Sequence, residues 1–340
     1  MSALHNLLKY FENFQLFSCF LRFVIALALL IHSFSSHAYH ASTCFEAKGN
    51  TIAIPANLGW TNTSEKLVCP KSDWRHGCCV QSPILKFNIS DNCVNFTNFL
   101  VSVQGKRLCF FGDSLSQNTF KALLSQLSQF KKHFRHSEKS AKHFAIVDAY
   151  NFSIYFHEFY YLNIENETHT YTIDPGKYRM NSTTLESEIE YCDIAVINVG
   201  LHFGAVQSGY TVSFYTELLR YIKSVLEREM SHSPAKRHVY RLTFPQHFTP
   251  DSGFSHSGDY LLRRMPPSCE PSSLRHWSDL LAQNIFHDSK VKILDYYNVF
   301  KDAGLYHSAK HKDDCSHYCW NQFLWRPFWG MLTAIANDVY

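Results

Sequence analysis

Residues at two distant points of the chain could together perform nucleophilic catalysis. Gly112-Asp113-Ser114 follows a short apolar run, and apolar residues recur at helical spacing from Leu115 onward. A serine between a strand and a helix can present its hydroxyl at the carboxyl edge of a sheet, close to the free amides of the helix. Ser114 is therefore a candidate nucleophile, and the alternative is that it only caps the helix.

A carboxylate and an imidazole follow near the C-terminus. Asp314 and His317 are three residues apart, so one local turn can hold the carboxylate beside the ring. His317 would then take the proton of Ser114, and we predict that the three side chains converge as a catalytic triad. The backbone N–H of Ser114, Asn198 and Gly200 are candidate donors to the oxyanion that forms on attack at an ester carbonyl.

Strand and helix patterns alternate between these motifs. Short apolar runs bounded by turn residues predict strands, and apolar residues at helical spacing predict helices. Their alternation is typical of a doubly wound, mainly parallel sheet. The predicted strands are 107–111, 144–147, 153–159, 194–199, 239–244 and 291–296, and the predicted helices are 115–130, 214–230, 272–286 and 323–337.

Composition excludes some classes of function. The 340 residues are 46% hydrophobic and 18% charged, which is typical of a packed domain and not of a disordered chain. The net charge of +3 arises from dispersed residues, with no basic run that could neutralise a series of phosphates. We therefore expect no nucleic-acid partner.

The N-terminus has the layout of a secretory signal. Lys9 and Arg22 precede the apolar run 23–31, and small residues suited to cleavage follow near Ala41. A type II signal anchor is the alternative, because 17–34 reaches 18 residues. Any membrane attachment would then depend on this segment if it stays uncleaved.

Glycosylation signals agree with a luminal or secreted chain. Six Asn-x-Ser/Thr sequences occur, all of them beyond the apolar run. Each is weak evidence alone, but their density is harmless only where glycans are added to surface loops. The acceptor candidates are Asn62, Asn88, Asn95, Asn151, Asn166 and Asn181.

Cysteine usage also indicates an oxidising compartment. Ten of the 11 cysteines lie beyond residue 41, enough for up to five disulfides. Cys315 and Cys319 flank the candidate base, and we predict that each is bonded to a distant cysteine. Cys269 and a cysteine of the N-terminal region are the expected partners, whereas Cys109 and Cys192, in strand patterns, are expected to be free thiols.

Three further patterns have two interpretations each. Histidine, aspartate and cysteine crowd residues 307–319 as in metal sites, but cysteines in this compartment are more often disulfide-bonded, and we expect no metal. Aromatic residues in 155–161 either pack in a strand or line a sugar site. His247 is either an ordinary packing histidine or, with Arg241, a group that faces or supports the substrate site.

Four motifs resemble the SGNH/GDSL hydrolase superfamily, and in detail its PC-esterase branch, which includes the plant trichome birefringence-like O-acetyltransferases. The resemblance covers residues 88–340, and Asn118, Pro245 and Cys269 fall on further family positions. The motifs are Gly112-Asp113-Ser114-Leu115 after Gly105-Lys106-Arg107-Leu108, Asn198-Val199-Gly200 before His202, the run Arg241 to Phe248, and Asp314-Cys315-Ser316-His317-Tyr318-Cys319.

Two departures from the plant pattern affect regions where an acceptor would be chosen. Trp320-Asn321 follows Cys319 directly, whereas the plant proteins have several residues between the last cysteine and this pair. The N-terminal cysteine-containing region matches only loosely. The polysaccharide acceptors of the plant enzymes are therefore not carried over.

The resemblance implies a flavodoxin-like three-layer α/β/α fold with a central, mainly parallel sheet and a disulfide-held irregular N-terminal cap. It implies transfer or hydrolysis of O-acyl groups, foremost O-acetyl, on a glycan or polysaccharide through an acyl-serine. Ser114 would be the nucleophile, His317 the base and Asp314 the group that orients it, while Asn118, Arg241 and His247 would face the substrate or support the site. No metal or cofactor is implied apart from an acyl donor as co-substrate.

We accordingly expect a signal peptide or anchor at 1–41, the cap at 42–98 and the catalytic domain at 99–340. The expected location is the lumen of the Golgi or endoplasmic reticulum, or outside the cell after secretion. The alternative function is a catalytically silent glycan-binding protein on the same fold.

Overall fold

A computed structural model gives the fold of the chain. It describes residues 44–62, 85–128, 134–139, 142–163, 179–201, 212–247, 269, 275–307, 315–320 and 322–338. The targeting segment predicted at 1–41 lies outside these residues. No helix within the described ranges combines the length and the apolar character needed to cross a membrane.

The elements alternate as the sequence predicts. The strands are β1 (Glu46–Lys48), β2 (Thr51–Ala53), β3 (Trp60–Asn62), β4 (Leu85–Phe87), β5 (Arg107–Gly112), β6 (Phe134–Lys139), β7 (Lys142–Val147), β8 (Phe152–Glu158), β9 (Tyr161–Asn163), β10 (Arg179–Asn181), β11 (Ile194–Asn198), β12 (Val239–Arg241) and β13 (Lys292–Asp295). The helices are α1 (Phe96–Ser102), α2 (Ser114–Leu127), α3 (Ser182–Glu190), α4 (Val212–His232), α5 (Trp277–Phe286), α6 (Tyr297–Phe300) and α7 (Gln322–Ala336).

Nine of the described strands form one sheet in the order β1-β2-β13-β12-β11-β5-β8-β7-β6. The six strands from β2 to β8 in this order pair in parallel, and the strands at both edges pair antiparallel. The mainly parallel sheet is thus confirmed. The chain runs from β5 to β8 on one side and continues through β11 on the other, which opens a crevice at the carboxyl ends of β5 and β11.

Alternate residues of the strands face two helical layers. Along β5, Leu108 and Phe110 pack in a core with α1, α2 and α7. Cys109 and Phe111 point to the opposite side and pack in a second core with α3, α4 and α5. These two cores on either face of the sheet make the three-layer α/β/α architecture.

The N-terminal region was predicted to be an irregular cap, but it is joined to the main domain more closely than this prediction implies. A disulfide joins Cys44 to Cys93, as expected of a disulfide-held segment. However, β2 pairs in parallel with β13 and β1 pairs with β2, so this region extends the central sheet. Three-residue strands are too short to show the alternation of apolar and polar residues, and their partner lies about 240 residues away.

The expectation of free thiols at Cys109 and Cys192 is wrong. The two sulfur atoms are 2.02 Å apart and form a disulfide. Cys109 faces the layer that contains α3, and Cys192 lies between α3 and β11, the strand that pairs with β5. Both residues lie in apolar strand patterns, and such patterns do not show which strands and helices are neighbours in space.

Candidate active site

Ser114 is the first residue of α2 and lies two residues beyond the end of β5. The helix is capped by its neighbour Asp113, whose Oδ1 accepts a hydrogen bond from the backbone N–H of Leu115 at 2.9 Å. The capping role therefore falls to Asp113, and the Ser114 hydroxyl is directed elsewhere.

The Ser114 hydroxyl meets the imidazole of His317. The distance from Ser114 Oγ to His317 Nε2 is 2.8 Å, although the two residues are 203 positions apart in the chain. Both side chains are half-buried, so a small substrate can reach them. If Nε2 accepts a hydrogen bond from the serine hydroxyl, the neutral ring carries its hydrogen on Nδ1, where a carboxylate can orient it. Asp314, the predicted carboxylate, lies outside the described residues.

The segment that carries His317 is tied to α2 by Asn118. The Asn118 Nδ2 donates to the Tyr318 carbonyl at 2.7 Å, and its Oδ1 accepts from the Tyr318 backbone N–H at 3.0 Å. Asn118 is buried one helical turn beyond Ser114. It therefore fixes the spacing between the serine and the histidine from a buried position.

Further anchors hold the same segment on its other side. Cys315 is bonded to Cys269, and Gln246 Nε2 donates to the Ser316 hydroxyl at 2.8 Å. Cys319 is also disulfide-bonded, and its partner is none of the other described cysteines, which are paired among themselves. The predicted involvement of these cysteines in long-range bridges agrees with the structure.

These bridges bear on the metal interpretation of residues 307–319. Cys315 and Cys319 are in disulfides and so cannot act as thiolate ligands. His311, Asp313 and Asp314 lie outside the described residues. Within the described ranges, no group of three or more histidine, cysteine or acidic side chains could hold a metal ion.

Arg241 is a buried cation close to the first turn of α2, which begins at Ser114. Its guanidinium donates to the Leu242 carbonyl at 2.9 Å, the Asn198 Oδ1 at 2.9 Å and the Ser116 hydroxyl at 3.2 Å, and it lies over the Phe244 ring. Burial lowers its pKa to about 10, against the opposing effect of the Asp113 carboxylate, so it stays charged at neutral pH. Arg241 thus supports the site from the interior.

Two of the three predicted oxyanion donors, Asn198 and Gly200, differ in their surroundings. The Asn198 amide is held by Arg241, because Nδ2 also donates to the Arg241 carbonyl at 2.8 Å. Asn198 could serve an oxyanion only through its second N–H. Gly200 follows β11 and packs so closely against Thr243 and Ser278 that an added Cβ would meet their hydroxyl oxygens at 2.7 and 3.0 Å. The oxyanion roles of Ser114, Asn198 and Gly200 stay predictions.

His247 is completely buried and contacts a second histidine, His307. Its burial, like that of Arg241 and Asn118, agrees with a packing or a supporting role, and the roles of these three residues toward a substrate stay predictions. In the sequence, His307 is only one of several candidate metal ligands within residues 307–319. No local pattern signals its contact with His247, because the two residues are 60 positions apart.

Glu158 is an acidic neighbour of the site that sequence reasoning missed. It ends β8 opposite Gly112 and accepts hydrogen bonds from Gln117 at 3.1 Å and Tyr160 at 3.0 Å. Burial raises its pKa above the usual range, although the Tyr160 hydrogen bond and the charges of Lys121 and His317 act in the opposite direction. The sequence offered one sign of this role: Glu158 is a carboxylate at the end of a largely apolar strand pattern.

The aromatic residues near Glu158 divide between the two interpretations. Phe156 and Phe159 are completely buried, and Tyr155 packs against Phe111, as expected of strand packing. Tyr160 is half-buried beside Glu158, close to the candidate site. The side chain of Tyr161 lies outside the described part.

Part of the chain is similar to a known protein family. Residues 93–257 match the PC-esterase family model, described as a GDSL/SGNH-like acyl-esterase family found in Pmr5 and Cas1p. The match contains Ser114, Asn118, Asn198 and Arg241, and it confirms the resemblance at the level of the SGNH/PC-esterase superfamily. It supports esterase or acyltransferase activity and does not identify the trichome birefringence-like branch. No curated protein matches the chain.

Proposed function

Because residues 93–257 are similar to the PC-esterase family, we propose that this protein is a serine-dependent O-acyltransferase or esterase that acts on carbohydrate. The observation that carries the proposal is the 2.8 Å contact between Ser114 Oγ and His317 Nε2 at the carboxyl edge of a parallel sheet. O-Acetyl is the foremost acyl group, from the resemblance of the motifs.

The reaction would proceed in two displacements. His317 Nε2 takes the Ser114 proton while Oγ attacks the acyl carbonyl carbon, and the backbone N–H of Ser114 stabilises the oxyanion. The tetrahedral intermediate collapses, the donor alkoxide leaves with the proton from His317, and an acyl-serine remains. Asp314 would hold the imidazole through Nδ1 during both steps.

The second displacement determines whether the enzyme transfers or hydrolyses. His317 would deprotonate either a sugar hydroxyl or a water molecule, which attacks the acyl-serine and regenerates Ser114. Exclusion of water from the acyl-enzyme would favour transfer. Glu158, beside the nucleophile, is a candidate to bind an acceptor hydroxyl, because a carboxylate can accept more than the two hydrogen bonds it receives.

The experiment is incubation of the purified protein with a chromogenic acetyl ester, with and without candidate glycans, followed by mass spectrometry of protein and glycans. We expect acetyl release or transfer and an acetylated peptide containing Ser114. Ser114→Ala should lower kcat at least about a thousandfold. Ser128→Ala, at the far end of the same helix, is the matched control and should keep full activity.

Persistence of a tenth of the activity in Ser114→Ala would place the nucleophile elsewhere. Glycan binding without ester turnover or acyl-serine in the wild-type protein would favour the catalytically silent alternative.

We also propose that the chain matures in the secretory pathway, in the Golgi or endoplasmic reticulum or on the way to secretion. Disulfides among the described cysteines suit an oxidising compartment. The acceptor asparagines whose exposure is described, Asn88, Asn95, Asn151 and Asn181, are all exposed. Asn62 and Asn166 lack a described side chain. Glycosidase treatment of protein from eukaryotic cells should increase its electrophoretic mobility, and an unchanged mobility would contradict this proposal.

A further inference from the structure

Two buried histidines form a continuous hydrogen-bonded chain that ends on the backbone of His317. His247 Nε2 lies 3.0 Å from the Lys301 carbonyl oxygen, and His247 Nδ1 lies 2.6 Å from His307 Nε2. His307 Nδ1 in turn lies 3.0 Å from the carbonyl oxygen of His317. Each ring therefore uses both of its nitrogens within the chain.

The number of protons in this chain follows from the chemistry of its ends. A carbonyl oxygen only accepts hydrogen bonds, so His247 Nε2 and His307 Nδ1 must both carry hydrogen. The contact between the rings needs a third hydrogen on one of the two facing nitrogens. Two neutral imidazoles carry only two such hydrogens, whereas three are required for the three contacts.

We infer that the His247–His307 pair binds one extra proton, and that this protonated pair positions the segment carrying His317. The inference rests on the proposed function only in naming His317 as the base. His247 and His307 are positioning residues in this view, since they act on His317 through its backbone carbonyl and do not touch the reacting atoms.

The surroundings indicate which ring holds the charge. His307 stacks on the Tyr318 ring at 4.4 Å between centroids, an arrangement that stabilises a cationic ring. Burial lowers the pKa of His247 to about 4, against the hydrogen bonds with the Lys301 and Phe300 carbonyls, so His247 is the neutral member.

Tyr318 and Asp302 are titratable side chains near the pair. Burial raises the pKa of Tyr318 well above its usual range, so it stays neutral, and Asp302 is exposed. The carbonyl oxygens at both ends of the hydrogen-bonded chain favour the extra proton, as the Lys301 carbonyl does for His247. The titratable or charged side chains described on the surrounding elements are Arg241, Lys301, Asp302, Tyr306, His317 and Tyr318.

Loss of the extra proton removes one of the three hydrogen bonds. Either two nitrogen lone pairs face each other at the ring contact, or one carbonyl oxygen faces a lone pair in a buried position, which is unfavourable. The hydrogen bond from His307 to the His317 carbonyl is then weakened or lost. Because proton transfer demands accurate placement of the imidazole, activity should decline as the pair loses its proton at higher pH.

A direct test is ¹⁵N NMR of histidine-labelled protein at the pH of maximal activity, or at pH 6.5 if no activity is found. His247→Gln and His307→Gln identify the signals. We expect three protonated nitrogens and one unprotonated nitrogen from the pair. Only two protonated nitrogens would overturn the inference, and this result does not depend on whether the protein turns over an ester.

The pH profile of kcat tests the positioning role. Wild type should lose activity at high pH as the pair deprotonates, whereas His247→Gln and His307→Gln should have kcat lowered about ten- to a hundredfold and no such decline. His238→Gln removes another buried histidine, which accepts from the Ala195 N–H, and is the matched control. It should keep the wild-type profile, and pair variants with the wild-type decline would refute the positioning role.

Discussion

Gly112 determines how closely the turn that leads into Ser114 can approach the neighbouring strand. Its φ of +136° lies in a region that favours glycine, and it pairs with Asn198 across β5 and β11. A Cβ at this position would lie far inside van der Waals contact with the Asn198 carbonyl oxygen. The residue that leads into Ser114 is therefore constrained both by its dihedral angle and by its neighbour.

Gly112→Ala should destabilise the fold by at least about 2 kcal/mol and lower kcat, because relief of the clash displaces Ser114. Urea unfolding and ester kinetics measure the two effects. Gly59→Ala is the control, since no heavy atom lies within 4 Å of its added Cβ. It should change stability by less than about 0.5 kcal/mol. Equal effects of the two substitutions would argue against a constrained turn.

Arg241 and Asp113 show how a buried charge is maintained beside a reactive group. Asp113 Oδ2 is buried without a hydrogen-bond partner among the described residues, and the Arg241 charge acts on Asp113 through space. The same guanidinium holds the Asn198 amide and Ser116. Its planar group with several donors suits this task better than a lysine ammonium.

At the level of elements, the segment around His317 is irregular and depends on external anchors. The Cys269–Cys315 disulfide joins it to a distant part of the chain, and Asn118 joins it to α2. A second disulfide, Cys109–Cys192, lies in the opposite layer of the sheet. The two bridges close loops with sequence separations of 46 and 83, and only the Cys269–Cys315 bridge is attached to the segment around His317.

Removal of each bridge by paired alanine substitution should separate stability from activity. On the loop-closure model, either loss costs about 4 kcal/mol of unfolding free energy. Cys269→Ala with Cys315→Ala should also lower kcat at least about tenfold, since His317 loses an anchor. Cys109→Ala with Cys192→Ala should retain kcat in the folded fraction. Equal kcat in both variants would show that the Cys269–Cys315 bridge does not position the base.

At the level of the whole molecule, the parallel strands place several polar groups at the carboxyl edge of the sheet. β5, β8, β11 and β12 end at Gly112, Glu158, Asn198 and Arg241, which lead into or support the candidate site. A further acid, Asp279 of α5, is buried against this edge and accepts from the Thr243 N–H at 2.8 Å. Burial raises the pKa of Asp279 to about 7, with the Thr243 hydrogen bond opposing the change.

The raised pKa of Asp279 predicts a pH-dependent stability. In the unfolded chain the carboxyl ionises near pH 4, so between about pH 4 and 7 unfolding releases a proton. The unfolding free energy should therefore fall as pH rises through this range, by up to about 4 kcal/mol, and level off above it. Asp279→Asn should flatten this dependence in urea unfolding at several pH values. Asp288→Asn, at an exposed position, is the control and should leave it unchanged.

Local sequence patterns predicted much of the fold and singled out Ser114, which the structure places beside His317. The strand, turn and helix around Ser114 depend on apolar periodicity and a polar cap within about twenty residues, and such features are visible in a linear sequence. The spacing of Asp314 and His317 likewise predicted that His317 is the candidate base. The positions of Cys315 and Cys319 on either side of it predicted disulfides to distant parts of the chain.

Only the tertiary structure decided which distant residues meet. It paired β2 with β13, bonded Cys109 to Cys192, and brought His247 and His307 behind His317. It also placed Glu158 beside the turn that leads into Ser114, through the pairing of β5 with β8. Apart from the contact between His307 and His317, these contacts join residues from 41 to about 240 positions apart. They depend on strand order and helix packing, which local propensities do not encode.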